Sequence, residues 1–550
     1  MILKDFDLNN IQDVERARQG MGLLLNVVED LSGENQELRE ENQRLRDEVN
    51  RLKGEQGKPD IKPNSNRPSN NHSSEKERRE PKEWQKSSKV DKIKIDREQV
   101  CKVDKSILPC DAQFKGYEKV AVQDIIIKTD NVLFLKEKYY SASEGKTYLA
   151  ELPRGYKGEF GPGVKSTAIV LYFAGNMSEP KILELFHHVG IRISGGQLSN
   201  LLIKDHQVFH EEKDALYEAG LRSSAWQHID ETSTRVNGQN QHCHVICNPF
   251  YAAYFTTENK SRLTVLDILS NFHEPTFILN KEAYLYLVLL RVPSKVISKL
   301  KQLPQDVDLS QKEFIDLLGM HLPGLGIQQR THVLEAARIA HYHKQQQFPI
   351  VRLLLCDDAP QFRWITEELA LCWVHDGRHY KKLTPFVFYH QKLLDGFLNQ
   401  YWAFYRELLN YQKGPNPDDA QRLSEKFDEL FSTETGYKAL DERIAKTKEK
   451  KDCLLMVLSH PEIPLHNNPA ELDTRVRARK RDVSFGPRTE DGKNAWDTFM
   501  TIASTAKKLG LSVYSLVYDR VSGTFAIPSL ADLICEQAKK YPLDLSWNSS

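Results

Sequence analysis

The chain has 550 residues, in which 76 Lys and Arg balance 76 Asp and Glu, so its formal net charge is zero. Hydrophobic residues make up 40% and charged residues 28%, as in ordinary globular proteins, and no apolar run reaches the roughly 18 residues that a membrane span needs. Eight mostly unclustered cysteines and an N-terminus without an apolar signal core favour a reducing, cytoplasmic location. Nucleic-acid contact would therefore depend on local basic patches.

Residues 1–53 contain the clearest periodic segment. Leucine recurs at every seventh residue, and the other seam position carries valine or asparagine. This pattern is typical of a parallel two-stranded coiled coil in which a buried asparagine fixes the register. The predicted dimerisation seam comprises Leu24, Leu31, Asn35, Leu38, Asn42, Leu45 and Leu52. The alternative, a helix packed on the chain's own body, is disfavoured by its polar flanks.

Two segments separate this leucine zipper from the body. Residues 54–95 are rich in Pro, Asn, Ser, Lys and Glu, which predicts a disordered linker that tethers the zipper without fixing its orientation. Residues 96–160 predict a small β-rich module with strands in VAVQDIIIKT, VLFLKEKYY and KTYLAELP. Cys101 and Cys110 near its start have no second ligand pair close by, so we expect no structural zinc.

Residues 161–222 are predicted to be helical and to include a helix-turn-helix-like pair. Ser178 can cap the first helix, and Ser194 with Gln197 makes a capping-box pattern at the start of the second. The second helix of a helix-turn-helix enters the major groove. The residues offered to DNA are Gln197, Ser199, Asn200 and Lys204. A plain helical hairpin is the alternative.

Residues 223–520 have the pattern of an α+β catalytic domain, and residues 521–550 are expected to be a C-terminal tail. Three strand-like runs, SSAWQHID, HCHVICN and YAAYFTTE, precede an amphipathic helix, and the apolar strand PIVRLLLCD comes later. This order is that of the RNase H-like fold. Two mostly helical stretches, at about 275–348 and 385–460, are predicted as insertions, which makes the whole chain a multidomain α+β protein.

Three acidic residues lie in settings that this fold would bring together. Asp230 closes the first strand, Asp357 follows the later apolar strand, and Glu471 lies at the start of a predicted helix. Carboxylates from separate elements are what a pair of Mg²⁺ ions about 4 Å apart requires for phosphoryl transfer. Simpler interpretations remain open: Asp230 as a turn former, and Asp357 with Asp358 as helix caps. Glu471 likewise has a simpler interpretation, as the capping-box partner of Asn468.

A basic run, RVRARKRD, follows Glu471. Arg475 and Arg479 lie one and two helical turns beyond Glu471, on nearly the same face. Beside a metal-binding carboxylate, such residues favour contact with DNA phosphates. The predicted phosphate-binding set is Arg475, Arg477, Arg479, Lys480 and Arg481. A solvated helix face is the alternative.

Together these features resemble the insertion-sequence sixty-six (IS-sixty-six) family of DDE transposases, over roughly residues 160–520. The likeness rests on HIDET, on LLLCDDAPQF followed by LCWVHDGRHYKKL, and on HNNPAELDTRVRARKRDVSFG. The matching motif residues are Cys372, His375, Asn467 and Asn468, and the implied catalytic triad is Asp230, Asp357 and Glu471. The chain departs from the family pattern at His466 and Leu472, where Asp and Arg are usual, and in lacking zinc-binding cysteine pairs.

The resemblance implies an enzyme that cuts at the ends of a mobile element and joins them to target DNA by in-line phosphoryl transfer. Two Mg²⁺ ions, for which Mn²⁺ can substitute, would be held by the triad. The implied partners are terminal inverted repeats, target DNA, a second copy of the chain and, in many members, small accessory proteins, on the nucleoid of a prokaryotic cytoplasm. Two alternatives stay open: a catalytically inactive DNA-binding regulator, and an RNase H-like nuclease without strand transfer.

Overall fold

A computed structural model describes residues 14–53, 94–109 and 111–548 of the chain. Its architecture is mixed α+β, which confirms the predicted class, and a mixed five-stranded sheet lies in the large core. Among the described helices, none combines the length and the apolar character that crossing a membrane requires.

Helix α1 (Val14–Leu52) runs uninterrupted for 39 residues. Its seam lies on the surface, with Leu24 47% exposed and Leu52 77% exposed, and the seam residues between them are exposed as well. The zipper was expected to be tethered without a fixed orientation. Helix α1 instead contacts the body, because Asn26 and Glu29 bind backbone groups near residues 386–387 and 436–438. The predicted linker lies outside the described residues, except for its last two positions.

The segment predicted as a β-rich module contains one hairpin among its described residues. Strands β1 (Lys138–Ser141) and β2 (Lys146–Leu149) pair antiparallel. The strand predicted in VAVQDIIIKT is wrong, since this stretch is unpaired and the side chains of Ile125 and Ile126 are exposed. β-branched residues favour a strand only where a neighbouring strand accepts the backbone hydrogen bonds. Cys101 is exposed, and Cys110 lies outside the described residues.

The predicted helical region is confirmed. It contains α2 (Pro162–Ile169), α3 (Glu179–His188), α4 (Gly195–Ile203) and α5 (Gln207–Arg222). The capping box at the start of α4 is present, with the hydroxyl of Ser194 accepting from the backbone N–H of Gln197. Buried leucines at positions 198 and 202 hold α4 in the core and leave its other side towards solvent.

The next elements form most of the sheet. They are β3 (Trp226–Val236), β4 (Gln239–Cys247), β5 (Ala252–Thr257) and α6 (Arg262–Leu269), all at predicted positions. A helical stretch follows with its own small core; it contains β6 (Thr276–Phe277), α7 (Lys281–Leu289), α8 (Ser294–Leu300), β7 (Leu309–Ser310), α9 (Gln311–His321) and α10 (Ile327–Lys344).

The sheet is completed by β8 (Leu353–Cys356) and β9 (Glu368–Leu371), and the strand order is β5-β4-β3-β8-β9. The pairs β5–β4 and β4–β3 are antiparallel, whereas β3–β8 and β8–β9 are parallel. Strand β8 is buried at all four positions, as expected for an apolar central strand. Parallel pairing of β3 with β8 matches His228 with Leu355, so that the middle of β3 lies beside the residues that follow β8.

Helices make up the rest of the chain. They are α11 (Trp373–Lys381), α12 (Phe388–Tyr411), α13 (Pro417–Leu430), α14 (Lys438–Lys448), α15 (Lys451–Leu454), α16 (Asn468–Ser484), α17 (Glu490–Lys508), α18 (Val513–Ser522) and α19 (Leu530–Lys540). The expected C-terminal tail is wrong, because α19 packs on α5 and the indole of Trp226 donates to the carbonyl of Leu543 at 2.6 Å.

Candidate active site

Asp230 lies within β3, opposite Val245 of β4, and α16 packs across these two strands. The pKa of the Asp230 carboxyl is raised to about 7, chiefly by burial and also by the negative charges of Asp357 and Glu471, which outweigh the lowering effect of hydrogen bonds with Thr474 and the backbone of Glu231. Three acids that are far apart in the sequence are therefore close enough in the structure to influence one another electrostatically.

Asp357 follows β8 directly, and its carboxylate accepts the backbone N–H of Ala359 at 3.2 Å. Asp358 has a different environment, because it forms ion pairs with Lys450 at 2.5 Å and Arg363 at 2.6 Å. Burial alone would raise the pKa of Asp358, but hydrogen bonds from these two cations outweigh burial and lower it. The geometry therefore favours Asp357 as the residue that joins Asp230.

Helix α16 carries Glu471 in its first turn and begins at Asn468, so the N-cap position is Asn467. The alternative interpretation, a capping box between Asn468 and Glu471, does not hold because of this one-residue shift. The side chain of Asn467 instead binds β3: it donates to the carbonyl of Ile229 at 2.7 Å and contacts Nδ1 of His228 at 2.9 Å. Asn467 thereby holds the start of α16 beside Asp230. Asn468 is also buried.

The C-x-x-H motif has a structural role at this point. The thiol of Cys372 accepts backbone N–H groups from His375 at 3.3 Å and from Asn467 at 3.2 Å. Burial raises the pKa of this thiol to about 12, so Cys372 stays a neutral cap. The ring of His375 packs against His379, with ring centroids 5.1 Å apart. One sulfur atom therefore ties the starts of α11 and α16 together.

Arg378 is a residue of the site that the sequence pattern did not indicate. This residue lies in α11 and forms a two-point ion pair with Glu471, with Nη1–Oε1 3.0 Å and Nη2–Oε2 2.7 Å. Although Arg378 stands inside the quoted motif LCWVHDGRHY, the spacing of residues does not reveal which distant acid a side chain will meet. Arg378 is the one cation of the described chain seen to pair with Glu471.

The chemistry of the acid cluster fits a divalent cation that prefers oxygen ligands. Mg²⁺ and Mn²⁺ bind carboxylate oxygens, and three carboxylates with a net cation deficit supply them. Within the described residues, no group of three or more His, Cys, Asp or Glu side chains is arranged to hold a metal ion. Both oxygens of Glu471 are hydrogen-bonded to Arg378. Asp230, Asp357 and a released Glu471 would hold the ion.

Two residues of the basic run are not available to DNA, which corrects the prediction for Arg477 and Lys480. The guanidinium of Arg477 is fully buried, donates to Thr256 at 2.7 Å and pairs with Asp497 at 3.2 Å. The ammonium of Lys480 is fully buried, and burial lowers its pKa to about 7. Because α16 packs on the sheet, every third or fourth residue of the run faces the core.

The other members of the run stay accessible. Arg475 and Arg479 are exposed and form no ion pair with any residue that the structure describes. Arg481 is half-buried and donates to the carbonyl of Ser233 at 2.5 Å. The accessible basic groups of this run are therefore Arg475, Arg479 and the exposed part of the Arg481 side chain, all on the helix that carries Glu471.

Substitutions in this run should separate DNA contact from stability. We expect the double change Arg475→Ala/Arg479→Ala to leave the unfolding temperature unchanged and to lower the salt dependence of DNA affinity by about two units of log–log slope. Arg477→Ala should instead destabilise the fold by about 3–5 kcal/mol, because Asp497 is left buried and unpaired. Thermal unfolding and fluorescence anisotropy at several salt concentrations measure both effects. A normal salt slope in the double variant would contradict the assignment.

Helix α4, predicted as the recognition helix, is only partly accessible to DNA. The amide of Gln197 is occupied by the capping box and by Glu159 at 2.9 Å, and Ser199 is half-buried with Glu179 as a hydrogen-bond partner. These contacts argue against base contacts from Gln197 and Ser199. Asn200 and Lys204 are exposed one turn apart and remain the candidates on this helix.

The chain is 33% identical over 328 residues to "Uncharacterized protein y4jO" of Sinorhizobium fredii (strain NBRC 101917 / NGR234), which covers 59% of this chain and 100% of that protein. The chain belongs to the y4jO family. No family model matches the sequence.

The raised pKa of Asp230 gives a test of the site in the protein free of divalent cations. Its folded-state value of about 7 lies above the ordinary 3.8, so between these values the folded chain keeps a proton that the unfolded chain has lost. Wild-type stability should therefore fall as pH rises through this window and level off above it. We expect Asp230→Asn, which cannot ionise, to gain in unfolding temperature relative to the wild type between pH 5 and 7.

Thermal unfolding in EDTA at several pH values measures this difference. Asp358→Asn is the matched control: because the pKa of Asp358 is lowered below 3.8 in the folded state, this carboxyl is ionised in both states between pH 5 and 7, so the variant should unfold at a lower temperature than the wild type by an amount that does not change with pH in this window. Parallel pH profiles for the wild type and Asp230→Asn would mean that the carboxyl of Asp230 is not buried among other acids.

Proposed function

We propose that this chain is a DDE transposase with an RNase H-like catalytic core, similar to the IS-sixty-six family. The observation that carries the proposal is geometric: parallel pairing of β3 with β8 matches His228 with Leu355, two residues before Asp230 and Asp357, and the helix that begins with Glu471 in its first turn packs on β3. Carboxylates of this kind could come together by chance as surface acids, but these three lie at a half-buried site built from a strand, a strand end and a helix start.

The strand order supports the proposed core. An RNase H-like sheet has three antiparallel strands, with the first strand parallel to the fourth and the fourth parallel to the fifth. The order β5-β4-β3-β8-β9, with parallel β3–β8 and β8–β9 pairs, follows this arrangement once α7–α10 are set aside as an insertion. In it, Asp230 and Asp357 come from adjacent strands.

The residues have distinct proposed roles. Asp230, Asp357 and Glu471 would hold Mg²⁺ or Mn²⁺, which supplies charge neutralisation and an activated nucleophile for phosphoryl transfer when bound. Asn467 and Cys372 fix the start of α16, so that Glu471 meets the two aspartates. His228 stays uncharged, because burial lowers its pKa to about 3, and adds no competing cation.

DNA would reach the site across an exposed basic surface. Arg475 and Arg479 project from the helix that carries Glu471, one and two turns further on, and would contact phosphates. Asn200 and Lys204 of α4 would contact the terminal repeat. Pairing of two element ends on the nucleoid would use a second copy of the chain, joined through a coiled coil formed by α1.

The decisive experiment uses the full chain, Mg²⁺ and duplex oligonucleotides made from the DNA that flanks its gene, where the proposal expects inverted repeats. We expect nicking at the repeat end and, with target DNA present, a strand-transfer product. DNA binding without cleavage would favour an inactive regulator instead. Cleavage of branched DNA without joined ends would favour an RNase H-like nuclease.

A further inference from the structure

Arg378 and Glu471 form a close ion pair in the middle of the acid cluster. Both carboxylate oxygens of Glu471 accept from the two terminal nitrogens of the guanidinium, at 2.7 and 3.0 Å. The negative charge of Asp230 also acts on Arg378. A single guanidinium thus occupies the ligand oxygens that a metal ion would need.

The backbone of Arg378 is held firmly from behind. Gly377 packs against the indole of Trp402 so closely that an added Cβ would lie 2.8 Å from the ring. Asp376 is buried and accepts from Thr447 at 2.9 Å and from the guanidinium of Arg443, both in α14. Helix α11 is therefore anchored on the α12–α14 region just before Arg378.

The side chain of Arg378, by contrast, is partly open to solvent. It is 46% exposed, whereas the carboxylate of Glu471 is 18% exposed. A guanidinium that is half in water can exchange its partner at small cost, because solvent already screens the ion pair. Its planar pair of donors matches a phosphate group as well as it matches a carboxylate.

We propose that Arg378 is the resting-state counter-ion of Glu471, that a divalent cation displaces it, and that the released guanidinium then binds a phosphate of the DNA at this site. The proposal rests on the proposed function, since it needs Glu471 as a metal ligand. It gives the chain a built-in order of events: Arg378 compensates the charge of Glu471 until a metal ion binds, and the released arginine can then contact the DNA.

The first test measures Mn²⁺ binding by isothermal titration calorimetry without DNA. Arg378→Ala should bind Mn²⁺ about tenfold more tightly than the wild type, since the ion no longer competes with the guanidinium for Glu471. Arg378→Lys, which cannot make the two-point contact, should lie between them. Thermal unfolding confirms that each variant is folded. Unchanged or weaker Mn²⁺ binding by both variants would overturn the proposal.

The second test measures DNA binding in the presence of Ca²⁺. This cation has the same charge as Mg²⁺ and Mn²⁺ and is chosen to limit cleavage during the measurement. Arg378→Ala should lose about one unit of the salt dependence of DNA affinity, as expected for one phosphate contact. An unchanged salt slope would remove phosphate binding from the proposal.

Asp230→Asn distinguishes the two levels of failure. If Asp230→Asn abolishes Mn²⁺ binding but Arg378→Ala does not tighten it, only the role of Arg378 fails. If Asp230→Asn leaves Mn²⁺ binding unchanged, the acid cluster is not the metal site, and the proposed function fails with it.

Discussion

Asp230→Asn should reduce Mg²⁺-dependent nicking of terminal-repeat DNA by on the order of a thousandfold or more, because one of the proposed anionic metal ligands is lost. The change is nearly isosteric and removes a buried charge, so the protein should remain folded and should bind the same DNA with the same affinity. Asp357→Asn should have a similar effect. Gel-based nicking assays with labelled duplexes, and anisotropy for binding, measure the two properties separately.

Asp358→Asn is the matched control for this loss. It removes the same charge as Asp357→Asn, one position further along the chain. Asp358, however, pairs with Arg363 and Lys450. We expect nicking to stay within a few-fold of the wild type, with some loss of stability. Equal loss of nicking at 357 and 358 would show that the assay reports on folding. Full loss of nicking in Asp358→Asn, with normal nicking in Asp357→Asn, would make Asp358 the metal ligand in place of Asp357.

The sequence was sufficient to predict β3 and β8, because β8 is a wholly apolar run and β3 ends at an Asn-Gly turn. It also led to the choice of Asp357 over Asp358, although through the resemblance and not through the contacts that now favour it. What it could not supply was the pairing of charges across the fold. Arg378 meets Glu471 only because Cys372 and Asn467 bring two helix starts together.

The basic run shows the same limit from the other side. A row of cations after Glu471 predicts a solvent-facing surface, since burying a cation is costly unless it is paired. Arg477 and Lys480 are buried because the partners, Asp497 and the carbonyl of Tyr172, come from distant segments. The apolar stretch at 120–129 fails as a strand for a related reason: no neighbouring strand is present beside it in the described chain.

Leu31→Lys together with Leu38→Lys should weaken self-association at least about a hundredfold, because two leucine layers of the proposed coiled coil would then carry charge. Both leucines are more than half exposed in the single chain, at 54% and 57%, so their replacement costs the isolated chain little. Analytical ultracentrifugation measures association. Pairing of two labelled DNA ends should fall with it, while affinity for a single end stays within a few-fold.

The contact between α1 and the body makes this prediction specific. Glu29 accepts the backbone N–H groups of Phe386 and Val387 at 2.6 and 2.9 Å, just before α12, and Asn26 binds at the start of α14. In the heptad pattern Asn26 and Glu29 lie on the side of α1 away from the leucine seam. Docking on the body therefore leaves the seam free for a second copy and fixes its direction.

Gln36→Lys together with Gln43→Lys is the matched control, since it adds the same charges on the side of α1 away from the seam. We expect this variant to associate and to pair DNA ends like the wild type. If the leucine variant still dimerises, α1 is not the interface and another surface joins the copies. If the leucine variant loses single-end binding as severely as end pairing, the seam contributes to DNA binding itself and not to bringing two ends together.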